Sequence, residues 1–393
     1  MSSFLSRFSG KWTPAAIFVV TLLAFVAESQ LTQYVQTTLQ YQQPYFLFYI
    51  VHSSFSISYP CHLLYLKFTK PYTSSQLWQG VKLATANRIR QNAPQSSRNA
   101  EFPLASFIYL ILALTAGLTV PSLLWFAAIA IASVTDVTAI WNTNAFFAYL
   151  FSVKVFGLKW EARRLGAVVL ATIGVIAVVY GGSSGGPSGD TSTSSTSTAF
   201  TAPKSAALAG DLLTLVGSVG YAAYQVFYKK YAALASDPDP EGLHDDYERL
   251  PAHDDPAYNH VEQDVELSPP FGLYSNFVTT CIGLCTLVLL WIPIPFLHWS
   301  GSEPFALPPN WTTTGAIAGI ALTGSIFNAG FMILLGLWGP IITSVGGLLT
   351  IVLVFISDVL LGATEALTAW SVLGSATIIA AFGVLAYDMV KRE

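Results

Sequence analysis

Long apolar runs dominate this 393-residue sequence. A helix needs about 20 apolar residues to cross the roughly 30 Å hydrocarbon core of a bilayer. A scan for such runs predicts an all-α polytopic membrane protein with ten transmembrane helices. The expected spans are Trp12–Tyr34, Pro44–Leu66, Leu104–Ser133, Val137–Phe156, Leu165–Gly182, Ser205–Tyr228, Phe271–Leu297, Thr312–Leu337, Ile341–Gly362 and Ala366–Tyr387.

The composition agrees with a membrane protein. Only 10% of the residues are charged and the mean hydropathy is +0.54, whereas soluble domains carry about 25% charge. The net charge of −4 argues against nucleic acid as a partner. Neither a phosphate loop, a metal-spaced His/Cys cluster nor a nucleophile elbow occurs, so we expect no enzymatic activity, metal or cofactor.

The distribution of Lys and Arg predicts the orientation. With ten spans and a cytosolic N-terminus, all of the 18 basic residues except Lys204 fall on the cytosolic side. Such an excess is typical of cytosolic loops. We therefore expect both termini in the cytosol.

Two similar segments indicate an internal repeat. Gly166 and Gly174 follow Val155-Phe156-Gly157, and Gly374 and Gly383 follow Leu360-Leu361-Gly362 at nearly the same spacing. Each segment lies in the last two spans of a five-span half. Because five is odd, the halves have opposite orientations, which is a transporter architecture. The predicted halves are residues 1–182 and 205–393.

Two polar segments interrupt the apolar pattern. Residues 183–204 are rich in Gly, Ser and Thr and predict a flexible non-cytosolic loop. Residues 236–267 are acidic and contain proline, which predicts a disordered cytosolic segment. Within it, Tyr247–Leu250 has the pattern of a tyrosine-based sorting signal that would bind a sorting adaptor; plain disorder is the alternative.

Polar residues in the fourth span raise the question of their function. On one continuous helix, Asn142 shares a face with other residues, and Trp141 and Asn144 flank it. The members of that face are Thr138, Asn142, Ala145, Tyr149 and Ser152. One interpretation is the wall of a solute cavity. The alternative is contact between helices through amide hydrogen bonds, worth about 0.6 kcal/mol each.

The sixth and ninth spans carry further candidates. Tyr221 and Gln225 lie at helical spacing, where a cavity wall and an interfacial aromatic belt are the alternatives. Thr343, Thr350 and Ser357 form a stripe in the ninth span, with Gly346 and Gly347 between them. This stripe either lines a cavity or bonds its own helix backbone.

Two ionisable residues lie within early spans. Glu28 is deep in the first span, and His52 is at a comparable depth in the second. A buried carboxyl group of this kind could couple protons to transport. The alternative for Glu28 is a side chain that reaches the far interface.

These residues resemble the drug/metabolite transporter superfamily of EamA type, and within it the F-type branch of solute carrier family 35. The segments that carry the resemblance are Ser29–Tyr34, Asn142–Phe147, Gly210–Leu215 through Tyr221, Tyr224 and Lys229-Lys230, and Gly339-Pro340 through Gly346, Leu349-Thr350-Ile351 and Asp358. The resemblance implies a ten-helix carrier that works by alternating access. It also implies that helices one, three, four, six, eight and nine line a central cavity. Asn142, Thr143 and Asn144 would occupy a small-polar stretch of the fourth helix, and Gly346 and Thr350 a motif of the ninth.

The chain departs from the family pattern at several points. Bulky amides and Trp141 replace small hydroxyl residues. Gln30 stands where some relatives have Glu, and Val352 where relatives often have Pro. The Gly-Ala-Leu-Asn-Lys motif of GDP-mannose carriers is missing, which argues against that solute.

We therefore expect a carrier of a small organic solute (a nucleotide sugar, a vitamin or another metabolite) in a vacuolar or Golgi/endosomal membrane. The expected solute-binding residues are Trp141, Asn142, Thr143, Asn144, Tyr221, Gln225, Gly346 and Thr350, with Glu28 and His52 in proton coupling. The alternative function is a non-transporting scaffold or receptor acting through residues 236–267. Gly315 and Gly319 permit close helix contact within the chain or in a homodimer.

Overall fold

The computed structural model describes residues 2–70, 72–91, 102–129, 134–183, 204–234, 269–360 and 368–392. Throughout these ranges the ordered elements are helices. They are α1 (Ser2–Gln33), α2 (Pro44–Ser54), α3 (Ser58–Thr69), α4 (Ser74–Gln91), α5 (Leu104–Ile129), α6 (Val134–Trp141), α7 (Asn144–Phe156), α8 (Ala162–Ser183), α9 (Lys204–Phe227), α10 (Leu273–Leu289), α11 (Pro293–Ser300), α12 (Trp311–Gly347), α13 (Leu349–Leu360) and α14 (Ala369–Arg392). The acidic segment 236–267, its Tyr247–Leu250 pattern and most of the Gly/Ser/Thr-rich loop lie outside the described residues.

Several helices are long and apolar enough to cross a membrane. In the described ranges there are five such stretches, and six if α10 and α11, bent by 43°, form one span. The five are Thr13–Gln36, Leu104–Trp125, Ala162–Val179, Trp311–Ser357 and Ala369–Tyr387. The chain is therefore a helical membrane protein, while ten spans stay a prediction.

One of these stretches is too long for a single crossing. Trp311–Ser357 has 47 residues, about 70 Å at 1.5 Å per residue, against a core of about 30 Å. Gly339 breaks it with φ 75° and ψ 174°, a backbone conformation that favours glycine. This break coincides with the expected boundary between the eighth and ninth spans.

Other expected spans are interrupted helices. The span at Pro44–Leu66 consists of α2, a 3₁₀ turn at Phe55–Ile57 and α3, and the span at Val137–Phe156 consists of α6 and α7. The interpretation of the fourth span as one continuous helix was wrong, because Asn142 and Thr143 form a turn between α6 and α7. Hydropathy reports how apolar a segment is, and it does not report where an α-helix tightens or breaks.

The described residues form two compact units. Unit 1 comprises Met1–Ala116 and Phe227–Gly339, and unit 2 comprises Gly117–Val226 and Pro340–Glu393. Each unit therefore draws on both halves of the chain. The predicted five-span halves, residues 1–182 and 205–393, are repeats along the sequence and differ from these units. They stay a prediction.

In unit 1, α10 packs tightly against the 3₁₀ turn. A Cβ added at Gly283 would lie 2.7 Å from the Phe55 carbonyl carbon, so only glycine fits without movement. Nearby, the Thr280 hydroxyl accepts a hydrogen bond from the Tyr59 N–H (2.8 Å) and donates to the Phe55 carbonyl (3.3 Å). One side chain of α10 thus satisfies backbone groups at the interruption between α2 and α3.

A carboxylate fixes the beginning of α2. Glu303 accepts hydrogen bonds from the N–H groups of Tyr45 (2.9 Å) and Phe46 (3.0 Å), which have no partner within the first turn of a helix. The Tyr41 hydroxyl donates to the Ala306 carbonyl at 2.7 Å. Burial, with the Glu303 carboxylate nearby, raises the pKa of Tyr41 to about 12, so this hydroxyl remains a donor.

In unit 2, α8 and α14 meet at a pair of glycines. A Cβ at Gly174 would lie 2.8 Å from the Gly374 carbonyl oxygen, and a Cβ at Gly374 would lie 2.8 Å from the Val178 nitrogen. Both glycines belong to the repeated segments of the sequence. Their missing side chains allow the two backbones to approach each other.

We predict that Gly174→Ala and Gly374→Ala each lower the free energy of unfolding by about 1–3 kcal/mol, because an added methyl group overpacks this contact. The measurement is the melting temperature of the purified protein in detergent. Gly166→Ala and Gly383→Ala are matched controls on the same two helices, since a Cβ there meets no atom within 4 Å. Equal melting temperatures for all four variants would contradict the prediction.

Candidate functional site

The interruption between α6 and α7 is built from three consecutive polar residues. Asn142 Nδ2 donates to the Thr138 carbonyl (2.7 Å), Thr143 Oγ1 to Ile140 (2.6 Å), and Asn144 Nδ2 to Trp141 (2.8 Å). Each side chain therefore satisfies a carbonyl group near the end of α6. The Thr138 and Ile140 carbonyls also accept the backbone N–H groups of Asn142 (3.2 Å) and Thr143 (3.1 Å). Asn142 and Thr143 therefore add second hydrogen bonds at these carbonyls, and the Asn144 amide supplies the bond to the Trp141 carbonyl.

The same residues reach other helices of unit 2. Asn144 Oδ1 lies 3.5 Å from Gln225 Nε2 on α9, at the long limit of a hydrogen bond. Gln225 Oε1 accepts a hydrogen bond from the Ser344 hydroxyl of α12 at 2.5 Å. The Ser344 hydroxyl also lies 2.6 Å from the Pro340 carbonyl. Because this hydroxyl has a single proton, it donates to only one of these two oxygens at a time. The other oxygen is then available to accept a further hydrogen bond.

A second polar contact joins α6–α7 to α9. The Thr143 and Ser218 hydroxyl oxygens are 3.0 Å apart. Because Thr143 donates its proton to the Ile140 carbonyl, Ser218 is the donor in this pair. Gln225 and Ser218 are fully buried, and Asn144 and Ser344 are only 7% and 5% exposed. We call Thr143, Asn144, Ser218, Gln225 and Ser344 the polar cluster.

Aromatic rings extend along the same helices. The Trp141 ring is 5.4 Å from Tyr221 and 6.3 Å from Trp125, and Tyr221 is 6.0 Å from Tyr224. Close backbone approach supports this arrangement, because a Cβ at Gly217 would lie 3.2 Å from the Trp141 ring. We call Trp125, Trp141, Tyr221 and Tyr224 the aromatic row. Such rings stack on planar groups and attract cations.

A further interruption separates α12 from α13. Thr350 Oγ1 donates to the Gly347 carbonyl at 2.6 Å, as Thr143 does to Ile140 three residues before it. Gly346 is buried and Thr350 is 7% exposed. Thr350 therefore bonds the backbone of its own chain segment. This is one of the two alternatives that the sequence allowed for the stripe of Thr343, Thr350 and Ser357.

The structure thus distinguishes among the predicted site residues. It brings Thr143, Asn144 and Gln225 into one network, and Trp141 and Tyr221 into one row, while Asn142 bonds only its own helix. Ser218 and Ser344 were missed, as was Trp125. The spacing of Ser218, Tyr221 and Gln225 at i, i+3 and i+7 places them on one helix face and could have identified Ser218.

Glu28 and His52 both lie in unit 1. Glu28 Oε1 packs against Gly324, where an added Cβ would lie 2.9 Å away, and Glu28 Oε2 is buried without a hydrogen-bond partner in the described residues. His52 Nδ1 is 3.0 Å from the Phe48 carbonyl, and its ring lies 3.9 Å from the Phe48 ring. Across the described part of unit 1, no ion pair joins Glu28 to His52.

Comparison with known proteins bears on the fold. No protein-family model and no curated protein matches the chain. Twenty-six chains of solved structures match. One of them, a crystal structure, is 12% identical with a TM-score of 0.54, and the match covers 95% of this chain and 96% of that chain. At this identity the likeness shows a shared fold over nearly the whole length and carries no statement about activity.

Proposed function

We propose that the chain is a ten-span transporter of a small organic solute that works by alternating access, with the polar cluster and the aromatic row as part of its solute-binding wall. The protein would reside in a vacuolar or Golgi/endosomal membrane. Both termini would lie on the cytosolic side of that membrane. The observation that carries the proposal is the interruption at Asn142–Thr143, inside an otherwise apolar segment.

Interrupted helices support transport for a physical reason. Irregular backbone at membrane depth is tolerated only where it is buried in protein or lines a water-filled cavity. Secondary transporters place their substrate sites at such discontinuous helices. In unit 2 the interruption carries side chains that bond a neighbouring helix, and a second interruption follows Gly347. A membrane anchor or a scaffold has no need of this arrangement.

The chemistry of the cluster favours some solutes over others. Asn144, Gln225 and Ser344 bond each other and backbone carbonyl groups, and no charged side chain of the described residues bonds them. Buried phosphates need Arg, Lys or a metal ion as partners. The cluster offers amide and hydroxyl groups beside aromatic rings. A neutral or cationic solute with a planar ring, such as a vitamin, therefore fits better than a nucleotide sugar.

We predict that Gln225→Leu weakens solute binding about 5- to 150-fold. The substitution keeps the approximate volume and removes an amide that can offer the solute two hydrogen bonds, each worth about 0.5–1.5 kcal/mol. A thermal-shift screen of vitamins, nucleobases, amino acids and nucleotide sugars first identifies the ligand. Titration of the variant, and uptake into proteoliposomes, then measure the loss.

A hydroxyl-matched pair of variants separates binding from folding. Thr143→Val removes the partner of Ser218 and should reduce uptake. Thr172→Val removes a hydroxyl that bonds only its own helix, at the Val168 carbonyl, and should leave uptake unchanged. Uptake reduced equally by both variants, or by neither, would count against the proposed site.

We propose further that Glu28 carries the coupling proton, because its buried Oε2 has no partner that would hold a negative charge. Glu28→Gln keeps the shape and cannot release a proton. We predict that this variant loses the acceleration of uptake by an imposed pH gradient and retains solute–solute exchange. The control is Glu161→Gln, whose carboxylate pairs with Arg164 at 3.2 Å. A pH-driven uptake that survives in Glu28→Gln would exclude this role.

A further inference from the structure

Helix α4 is not one of the described stretches that are long and apolar enough to cross a membrane. It begins at Ser74, shortly after α3 ends at Thr69. Near its other end, Arg88 Nη2 donates to the carbonyl groups of Lys229 (3.2 Å) and Lys230 (2.6 Å) in the π-helical turn that follows α9. The last turn of α4 is thus fixed to the segment that follows α9.

One face of α4 is fixed to the protein. Leu77 and Val81 are buried in a cluster with Leu66 of α3 and Leu273 of α10. The Arg88 hydrogen bonds hold the last turn. The position of α4 is therefore set by unit 1 and needs no lipid, so its remaining surface is a preformed feature.

The exposed residues of α4 and of the segment just before it are cationic and aromatic. Lys67, Lys70 and Lys82 are exposed, as are Trp78 (49%) and Tyr72 (44%). Trp78 and Lys82 are four residues apart and share a helix face. We call these five residues the α4 surface. No Asp or Glu occurs anywhere between residues 29 and 100, so no acidic residue adjoins these lysines along the sequence.

We propose that the α4 surface binds the anionic headgroups of the leaflet in which it lies. Lysines near an anionic leaflet each gain an attraction equivalent to about a fivefold change in affinity. Trp and Tyr prefer the headgroup level, where an apolar ring meets water. A basic helix with exposed aromatic side chains is the pattern of an interfacial helix. This lipid site is independent of the proposed transport function.

The aromatic side chains decide between a bilayer and a soluble polyanion. A soluble anion would use the lysines alone and would leave Tyr72 and Trp78 exposed to water. In a bilayer, both rings are placed at the depth that they prefer. The acidic segment 236–267 is the other conceivable occupant, and the experiment below distinguishes it.

The test uses the full-length protein in nanodiscs, with spin-labelled phosphatidylserine and phosphatidylcholine as probes of the lipid shell. We expect the wild-type protein to enrich phosphatidylserine, and Lys70→Gln/Lys82→Gln to reduce that enrichment at least fivefold. The charge-matched control is Lys154→Gln/Lys159→Gln, which removes two exposed lysines of unit 2. The control should keep the wild-type enrichment.

Four results would overturn the proposal. They are equal losses in both variants, no loss in either variant, enrichment only after deletion of residues 236–267, and displacement of phosphatidylserine by inositol hexakisphosphate at equal phosphate concentration. The first would assign the preference to cytosolic charge in general. The last two would assign the α4 surface to the acidic segment or to a soluble polyanion. Since no solute is transported in the assay, its failure is distinct from a failure of the proposed function.

Discussion

Every backbone N–H and carbonyl group that the bilayer encloses needs a partner within the protein, because the hydrocarbon offers none. In this chain that requirement explains residues that hydropathy alone leaves puzzling. Asn142, Thr143 and Asn144 serve the end of α6, Thr280 serves the turn between α2 and α3, and Thr350 serves the end of α12. At Thr138, Ile140 and Phe55 the carbonyl also accepts a backbone N–H group, so there the side chain adds a second hydrogen bond.

Glycine residues allow the close approach between helices that these hydrogen bonds require. A side chain can satisfy a neighbouring backbone only if the two helices approach closely. Gly283 brings α10 to the 3₁₀ turn, so that Thr280 reaches it, and Gly217 brings α9 to Trp141, beside the Ser218–Thr143 contact. The glycines and the hydroxyl residues therefore act together: one kind removes bulk, and the other kind supplies the hydrogen bond.

Charge and polarity are separated within the described structure. The polar cluster of unit 2 is made of amides and hydroxyl groups, which can hold a solute without the large desolvation cost of a buried charge. Lys67, Lys70 and Lys82 of unit 1, in contrast, are exposed. Glu28 is the exception, an ionisable group deep in a span, and intramembrane residues of that kind are commonly functional.

The sequence by itself determined that this is a helical membrane protein, because apolar length and the low charge content are local properties that any window of the chain reveals. It also identified Asn144, Thr143 and Gln225 as candidates, since a polar residue in an apolar run stands out without a structure. Helical spacing could have added Ser218, whereas no local pattern marked Ser344 as the partner of Gln225.

Tertiary structure alone decided where the helices break, which polar groups meet, and that Arg88 fixes the last turn of α4 to the segment after α9. Those outcomes depend on contacts between residues far apart in the chain. The packing of whole helices sets the distances between Gln225 and Ser344, between Gly174 and Gly374, and between Arg88 and Lys230. The residue pattern within one segment does not indicate which distant segment it contacts.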